Sequence, residues 1–146
     1  MKTSETGINL IKEFESLQLK AYLCSAKVWT IGYGHTRGVK KGDAITQDQA
    51  IDFLKEDLSD SENAVNSQNL AVNQNQFDAL VSFVFNIGAG AFKSSTLLRK
   101  AKINISDPTI ANEFAKWNKA TVNGKKVVLN GLTRRRKAES DLYFKK

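Results

Sequence analysis

The 146-residue chain is poor in the residues that usually build covalent or metal-bound scaffolds: one cysteine, one histidine, one proline and one methionine. A lone Cys24 excludes an intrachain disulfide and a cysteine-rich metal cluster. A lone His35 without a cysteine cluster leaves zinc with no ligand set. No run approaches the roughly 20 apolar residues of a membrane span. Asn9, Lys12 and Glu13 interrupt the apolar stretch from Gly7 to Phe14, so no signal-peptide core is expected there. Any route out of a cytoplasm would then be supplied by something else. Asn104-Ile-Ser106 fits a glycosylation sequon, which reads as accidental without a secretory signal. Repeats, low-complexity tracts and linkers are missing too. With 41% hydrophobic residues, the chain is long enough to bury a core, and residues 1–146 are expected to form one domain.

Acidic residues are the scarcer sign, 15 against 22 Lys and Arg, for a net charge of +7. The excess is uneven. Residues 1–98 hold nine basic and eleven acidic side chains, net −2, whereas residues 99–146 hold thirteen and four, net +9. Such asymmetry implies an anionic partner for the C-terminal part: nucleic acid, an anionic membrane face or the acidic peptide stems of a bacterial wall. The plain alternative is a solvated basic face that aids solubility.

Ile8, Ile11 and Phe14, with Leu10 beside them, form an apolar stripe at helical spacing that ends near Glu15. From Ala21 to Ile45 the period changes. Val28-Trp-Thr-Ile-Gly-Tyr-Gly34 is β-branched and aromatic, which predicts a strand in a two- or three-stranded sheet, with close backbone approach at Gly32 and Gly34. Gly38 to Asp43 is a turn cluster. Thr46-Gln-Asp-Gln49 predicts a capping box and a long helix with Ala50, Leu54, Leu58 and Val65 inward. Asn73 to Gln76 opens another, with Phe77, Leu80, Val81 and Val84 inward, ended by Gly88 and Gly90. A short helix follows near Ser94–Ala101. Asp107-Pro108 is expected to start one reaching about Trp117. Asn123-Gly124 marks a turn inside Val122–Asn130, and Thr133 is expected to open the last helix. A small β element and a mostly helical remainder make this an α+β chain, with a substrate cleft expected between the two lobes.

One acid, one thiol and one hydroxyl stand close together where helix gives way to sheet: Glu15, Cys24 and Thr30. The trio suits cleavage of an acetal bond, in which a protonated carboxyl gives its proton to the leaving oxygen and a second group serves the opposite face. A helix C-terminus and shielding by Leu17, Leu19, Tyr22 and Trp29 would both raise the pKa of Glu15, as a general acid requires. Glu13, two positions earlier, competes on spacing alone. Cys24 is either a base to an attacking water, an anionic partner to the transition state, or a small buried hydrophobe. Thr30 either holds the attacking water or is an ordinary strand residue.

Glu15, eight residues, Cys24, five residues, Thr30 and the following Thr30-Ile-Gly-Tyr-Gly-His35 resemble the signature of the phage-type lysozymes, glycoside hydrolase family 24. The resemblance continues through Ala79–Gly88, Phe92–Leu97, Trp117 and Gly131-Leu-Thr-Arg-Arg-Arg-Lys-Ala-Glu139. It implies a lysozyme fold, no cofactor, and an endolysin that hydrolyses the β-1,4 bond between N-acetylmuramic acid and N-acetylglucosamine. Glu15, Cys24 and Thr30 would be catalytic, and Gly34, Phe85, Ser95 and Asn130 would line the saccharide cleft. His35 would pair structurally with Asp57, near the end of the following helix. The resemblance further implies a monomer without a separate wall-binding domain, waiting in the host cytoplasm until a holin lets it reach the wall. Its partner would be peptidoglycan and not nucleic acid, with anionic wall or membrane contact through the basic C-terminal part. Some of the arginines in Arg134-Arg-Arg-Lys137 would pair with Glu139 or with other acidic residues, and others would contact the anionic wall. The rivals are a lytic transglycosylase, which would not need both Cys24 and Thr30, and a non-enzymatic basic module, which leaves the register unexplained.

Overall fold

Two side-chain caps start the two longest helices. Thr46 accepts the Gln49 amide at 3.2 Å while the Gln49 side chain accepts the Thr46 amide at 2.9 Å. Asn73 and Gln76 repeat the exchange at 2.8 and 2.9 Å. Each pair satisfies donors that a helix start otherwise leaves open. The computed structural model describes residues 1–146. In chain order the elements are α1 (Glu5–Phe14), β1 (Gln18–Leu23), β2 (Trp29–Gly32), α2 (Gln47–Asn66), α3 (Gln74–Ile87), α4 (Ala89–Lys93), α5 (Thr96–Ile103), α6 (Ile110–Ala115), β3 (Lys119–Val122), β4 (Lys125–Val128) and α7 (Asn130–Tyr143). No helix is long and apolar enough to cross a membrane.

α3 is the axis. Phe77, Ala79, Leu80, Val81, Phe83 and Val84 are all buried, as are the polar Gln76, Asp78 and Ser82, so the helix is enclosed nearly all round and packs against α1, α2, α4 and α7. Phe83 meets Phe92, Phe114 and Trp117 edge to face at 6.5, 5.2 and 5.9 Å, the arrangement ring quadrupoles favour.

Two small antiparallel sheets flank this helical body. In the first, Tyr22 pairs with Thr30 and Leu23 with Trp29, and the chain between them turns with Lys27 at φ 60°. Gly32 has φ +67°, and a Cβ there would sit 3.3 Å from the Ala50 side chain, so α2 docks on β2 at this point. Gly34 differs from the sequence expectation: it has φ +87° but open space around it, so it serves a turn and not a close approach. In the second sheet Lys119 pairs with Val128 and Thr121 with Lys126. Asn123 and Gly124 turn it with φ 51° and 78°, as a type I′ hairpin needs.

Other boundaries move for local reasons. α7 begins at Asn130 instead of Thr133, because Leu129 closes the hairpin by donating to the Asn118 carbonyl and the helix starts at once. Thr133 lies in its first turn and accepts from the Asn118 amide group. Only Gly88 ends α3; Gly90 lies inside α4. Asp107 accepts the Thr109 amide at 2.9 Å, and a tight turn over Pro108 precedes α6, which stops at Ala115. Asp57 stands in the middle of α2 and not near its end.

Between α3 and α7 lies a buried ionic cluster in which two of the arginines pair with Glu139, as expected, although the sequence did not say which. Glu139 and Ser82 are fully buried, with Arg136 and Arg135 only 1% and 3% exposed. Ser82 donates to Glu139 at 2.6 Å. The Nε of Arg135 reaches Glu139 at 3.3 Å and that of Arg136 at 2.8 Å. The Arg136 Nε approach is off-axis, and its Nη1 has no acceptor; its guanidinium lies instead over the Phe83 ring at 5.2 Å. Burial pushes the Glu139 carboxyl above its ordinary range against the pull of both arginines.

A second acid, Glu113 on α6, accepts from Lys100 at 2.9 Å and Lys116 at 3.0 Å. Burial alone would raise its pKa, but the bonds and charges of the two lysines prevail and hold it below 4.5. A carboxyl of depressed pKa stabilises the fold above its unfolded pKa, and that contribution is lost as pH falls through the folded value. Glu113→Gln should therefore cost stability at neutral pH, with the cost vanishing well below pH 4.5 in urea titrations. Glu139→Ala leaves Arg136 buried without a carboxylate and takes one of two from Arg135. It should lower unfolding stability by about 3–5 kcal/mol in the same assay, the usual cost of breaking a buried pair.

Candidate active site

Glu15 is the residue at which α1 ends. Its backbone is extended, φ −101° and ψ 128°, while its amide still bonds the Ile11 carbonyl, so the side chain is anchored by the last helical turn. Its Oε1 accepts from Nη1 of Arg135 at 2.8 Å. Arg135 is itself fixed, because Nη2 donates to the Ser82 carbonyl at 3.2 Å and Nε reaches Glu139. A continuous ionic path thus runs from the core to Glu15.

Glu15 opens on a cavity of about 420 Å³ lined by Glu13, Phe14, Asn86, Leu129, Gly131, Leu132, Arg134 and Arg135. The walls are the ends of α1 and α3 and the start of α7. The expected apolar shield is not what surrounds the carboxyl. Leu19 and Tyr22 are exposed, Leu17 packs on the core, and the nearest charged partner is a buried guanidinium. Sequence reasoning missed Arg135 as that partner. Its one available signal was the spacing to Glu139, which puts both on one helix face but does not show that the same face meets α1.

Cys24 and Thr30 come together on the β1–β2 hairpin. Cys24 donates its amide to the Val28 carbonyl at 3.1 Å and accepts from the Lys27 amide at 2.8 Å. Hydrogen bonds from the Val28 and Ala26 amides, then from the Thr30 hydroxyl, hold the thiol below its ordinary 9.0. The Thr30 hydroxyl is buried and donates to the Val28 carbonyl at 2.9 Å. It has one proton, so a thiolate at Cys24 competes with that carbonyl for it. The Glu15 cavity reaches neither Cys24 nor Thr30.

The other expected residues divide. His35 is buried, with Nδ1 2.9 Å from Asp57 Oδ2 and its ring stacked on Phe53 at 4.2 Å. Phe85 is half-buried against the core. Ser95 caps α5, accepting the Leu98 amide and donating to the Phe92 carbonyl, and borders a cavity of about 460 Å³ separate from that of Glu15. Asn130 is exposed as the first residue of α7, between Leu129 and Gly131 of the Glu15 cavity. Gly34 is exposed beyond β2.

Known proteins share this fold. The chain is 51% identical to an endolysin of Acyrthosiphon pisum secondary endosymbiont phage 1, over 98% of both chains. It is 47% identical to an endolysin of Bacillus phage PZA over 98% of its own length and 55% of that protein, so it spans about half of that relative. Its fold is similar to the muramidase domain of SpmX from Asticaccaulis excentricus, with a TM-score of 0.91, 41% identity and 99% of both chains covered. Residues 12–139 match the family model described as phage lysozyme, a span that opens just before Glu15 and closes on Glu139, the two ends of the ionic path. The chain belongs to the phage lysozyme family.

Proposed function

We propose that this protein is an endolysin that hydrolyses the β-1,4 bond between N-acetylmuramic acid and N-acetylglucosamine in peptidoglycan. The observation that carries the reading is Glu15 itself. It stands at the family's offsets from Cys24 and Thr30, and a buried arginine fixes it at the mouth of an open cavity. Arg135 occupies Oε1, leaving Oε2 to carry the proton and face the glycosidic oxygen. As the bond to the leaving sugar breaks, that proton passes to the leaving oxygen, and water adds its oxygen to the anomeric carbon from the other face. Cys24 and Thr30 position or activate that water, the lowered thiol pKa favouring an anion there. Gly34, Phe85, Ser95 and Asn130 are the remaining sugar contacts in this reading. His35 and Asp57 hold β2 to α2 and take no part in the chemistry. Residues 1–146 act as one monomeric catalytic unit without a cofactor. The enzyme waits in the host cytoplasm and reaches the wall on release.

Glu15→Gln should leave a folded protein whose wall-degrading activity falls at least about a hundredfold, since an amide has no proton to give; Glu13→Gln should retain most of it. Turbidity loss of a purified wall suspension measures both, and the reverse pattern would displace Glu15.

Cys24→Asp should keep much of the activity, and Cys24→Ala should lose most of it. In the native enzyme, alkylation of Cys24 should titrate with a midpoint below 9.0, because its hydrogen-bond donors favour the thiolate. Full activity in the Ala variant would reduce Cys24 to a space-filler.

A further inference from the structure

Two acids are wholly out of solvent, Glu139 and Asp78. Glu139 has two arginines beside it. Asp78, in the first half of α3, pairs with no cation. Its carboxylate is satisfied by hydrogen bonds instead. Oδ1 accepts from the Ser4 amide at 3.0 Å and from the Gln74 side chain at 2.9 Å, and Oδ2 accepts from the Ser4 hydroxyl.

Ser4 is the residue that begins α1, and its hydroxyl does not cap its own helix. It donates to α3. A carboxylate from one helix therefore stands at the start of another, the end that favours negative charge. Contact there is direct. A Cβ at Gly7 would lie 2.8 Å from Asp78 Cγ and 2.9 Å from its Cβ, so the absent side chain lets the first turn of α1 rest on that acid. One residue earlier, Glu62 of α2 accepts the Thr3 amide and hydroxyl, both at 2.7 Å. The start of α1 is thus clamped by two other helices.

The far end of α1 is Glu15. Ten residues span about 15 Å, so a tilt of about 4° at the start would move the far end by about 1 Å. Arg135 holds Oε1 alone; where Oε2 then points depends on where the backbone of Glu15 stands. A displacement of about 1 Å can cost about a hundredfold in rate. We infer that Asp78 is a positioning residue for the general acid: it seats the start of α1 and, through that rod, fixes where Glu15 meets the glycosidic oxygen. The inference rests on the general-acid reading of Glu15 above and adds to it the second anchor of that residue.

Reducing-end release from solubilised peptidoglycan tests it, with kcat and KM taken apart at a temperature where circular dichroism shows each variant folded. Asp78→Asn keeps the volume and drops the charge. Its kcat should fall at least about tenfold with KM within about twofold, since aim suffers and not sugar binding. Ser4→Ala and Gly7→Ala should show the same split, and they carry the test if Asp78→Asn does not fold. Added to Glu15→Gln, Asp78→Asn should cost nothing further in residual kcat, because no proton is left to aim. Ile110→Ala, a core change on α6, should lower stability and keep the wild-type kcat. Wild-type kcat in the folded α1-seat variants, a loss through KM alone, the same loss repeated on Glu15→Gln, or an equal loss in Ile110→Ala would each overturn the anchor. Wild-type kcat in Glu15→Gln would instead bring down the general-acid reading, and the anchor with it.

Discussion

Arg135 is bonded at once to the catalytic carboxylate proposed here and to the acid at the centre of the α3–α7 interface. Its guanidinium is a planar fork, and three of its nitrogens have different jobs: Nη1 holds Glu15, Nη2 holds Ser82, and Nε faces Glu139. A lysine could not divide its charge among three fixed directions in this way. The position of Glu15 therefore depends on packing two helices away from the sugar. Taking Glu139, Arg135 and Arg136 out of water is costly, and only near-complete pairing makes it tolerable. The unpaired Nη1 of Arg136 shows that pairing to be incomplete, and the Phe83 ring beneath it offsets part of the deficit.

The same economy of elements places the rest of the site. α1 delivers Glu15 at its last turn, and β1 starts three residues later, so the acid and the Cys24 hairpin share one short connection. α2 holds the hairpin by two devices. Gly32 lets Ala50 come within a methyl's reach of the strand, and Asp57 bonds the histidine just beyond it. Both are contacts of a long helix whose start is fixed by its capping box.

The uneven charge takes on a shape once folded. Two of the C-terminal arginines belong to the core, and Lys100 and Lys116 are tied to Glu113. What remains outward includes the hairpin lysines beside a concave surface. A count of basic residues read from sequence thus overstates the free cations a partner meets, because several are tied to internal acids.

Periodicity and caps were enough to locate α2 and α3. Ala50, Leu54, Leu58 and Val65, and Phe77, Leu80, Val81 and Val84, are inward as their spacing requires, because the helical period and the capping exchange are local properties of the chain. The Asn123-Gly124 hairpin was legible for the same reason. The Glu15, Cys24 and Thr30 register was also visible, since it lies within sixteen consecutive residues. The partner of Glu15 was not, because Arg135 is 120 positions away and sequence spacing within α7 says nothing about which helix it will face. The start of α7 was misread because Leu129 answers to the hairpin before it and not to the residues after it. The sequence by itself determined the two long helices, the Asn123-Gly124 turn and the chemical groups that Glu15, Cys24 and Thr30 offer; tertiary structure alone decided which charges neutralise one another, because only packing brings distant side chains within bonding distance.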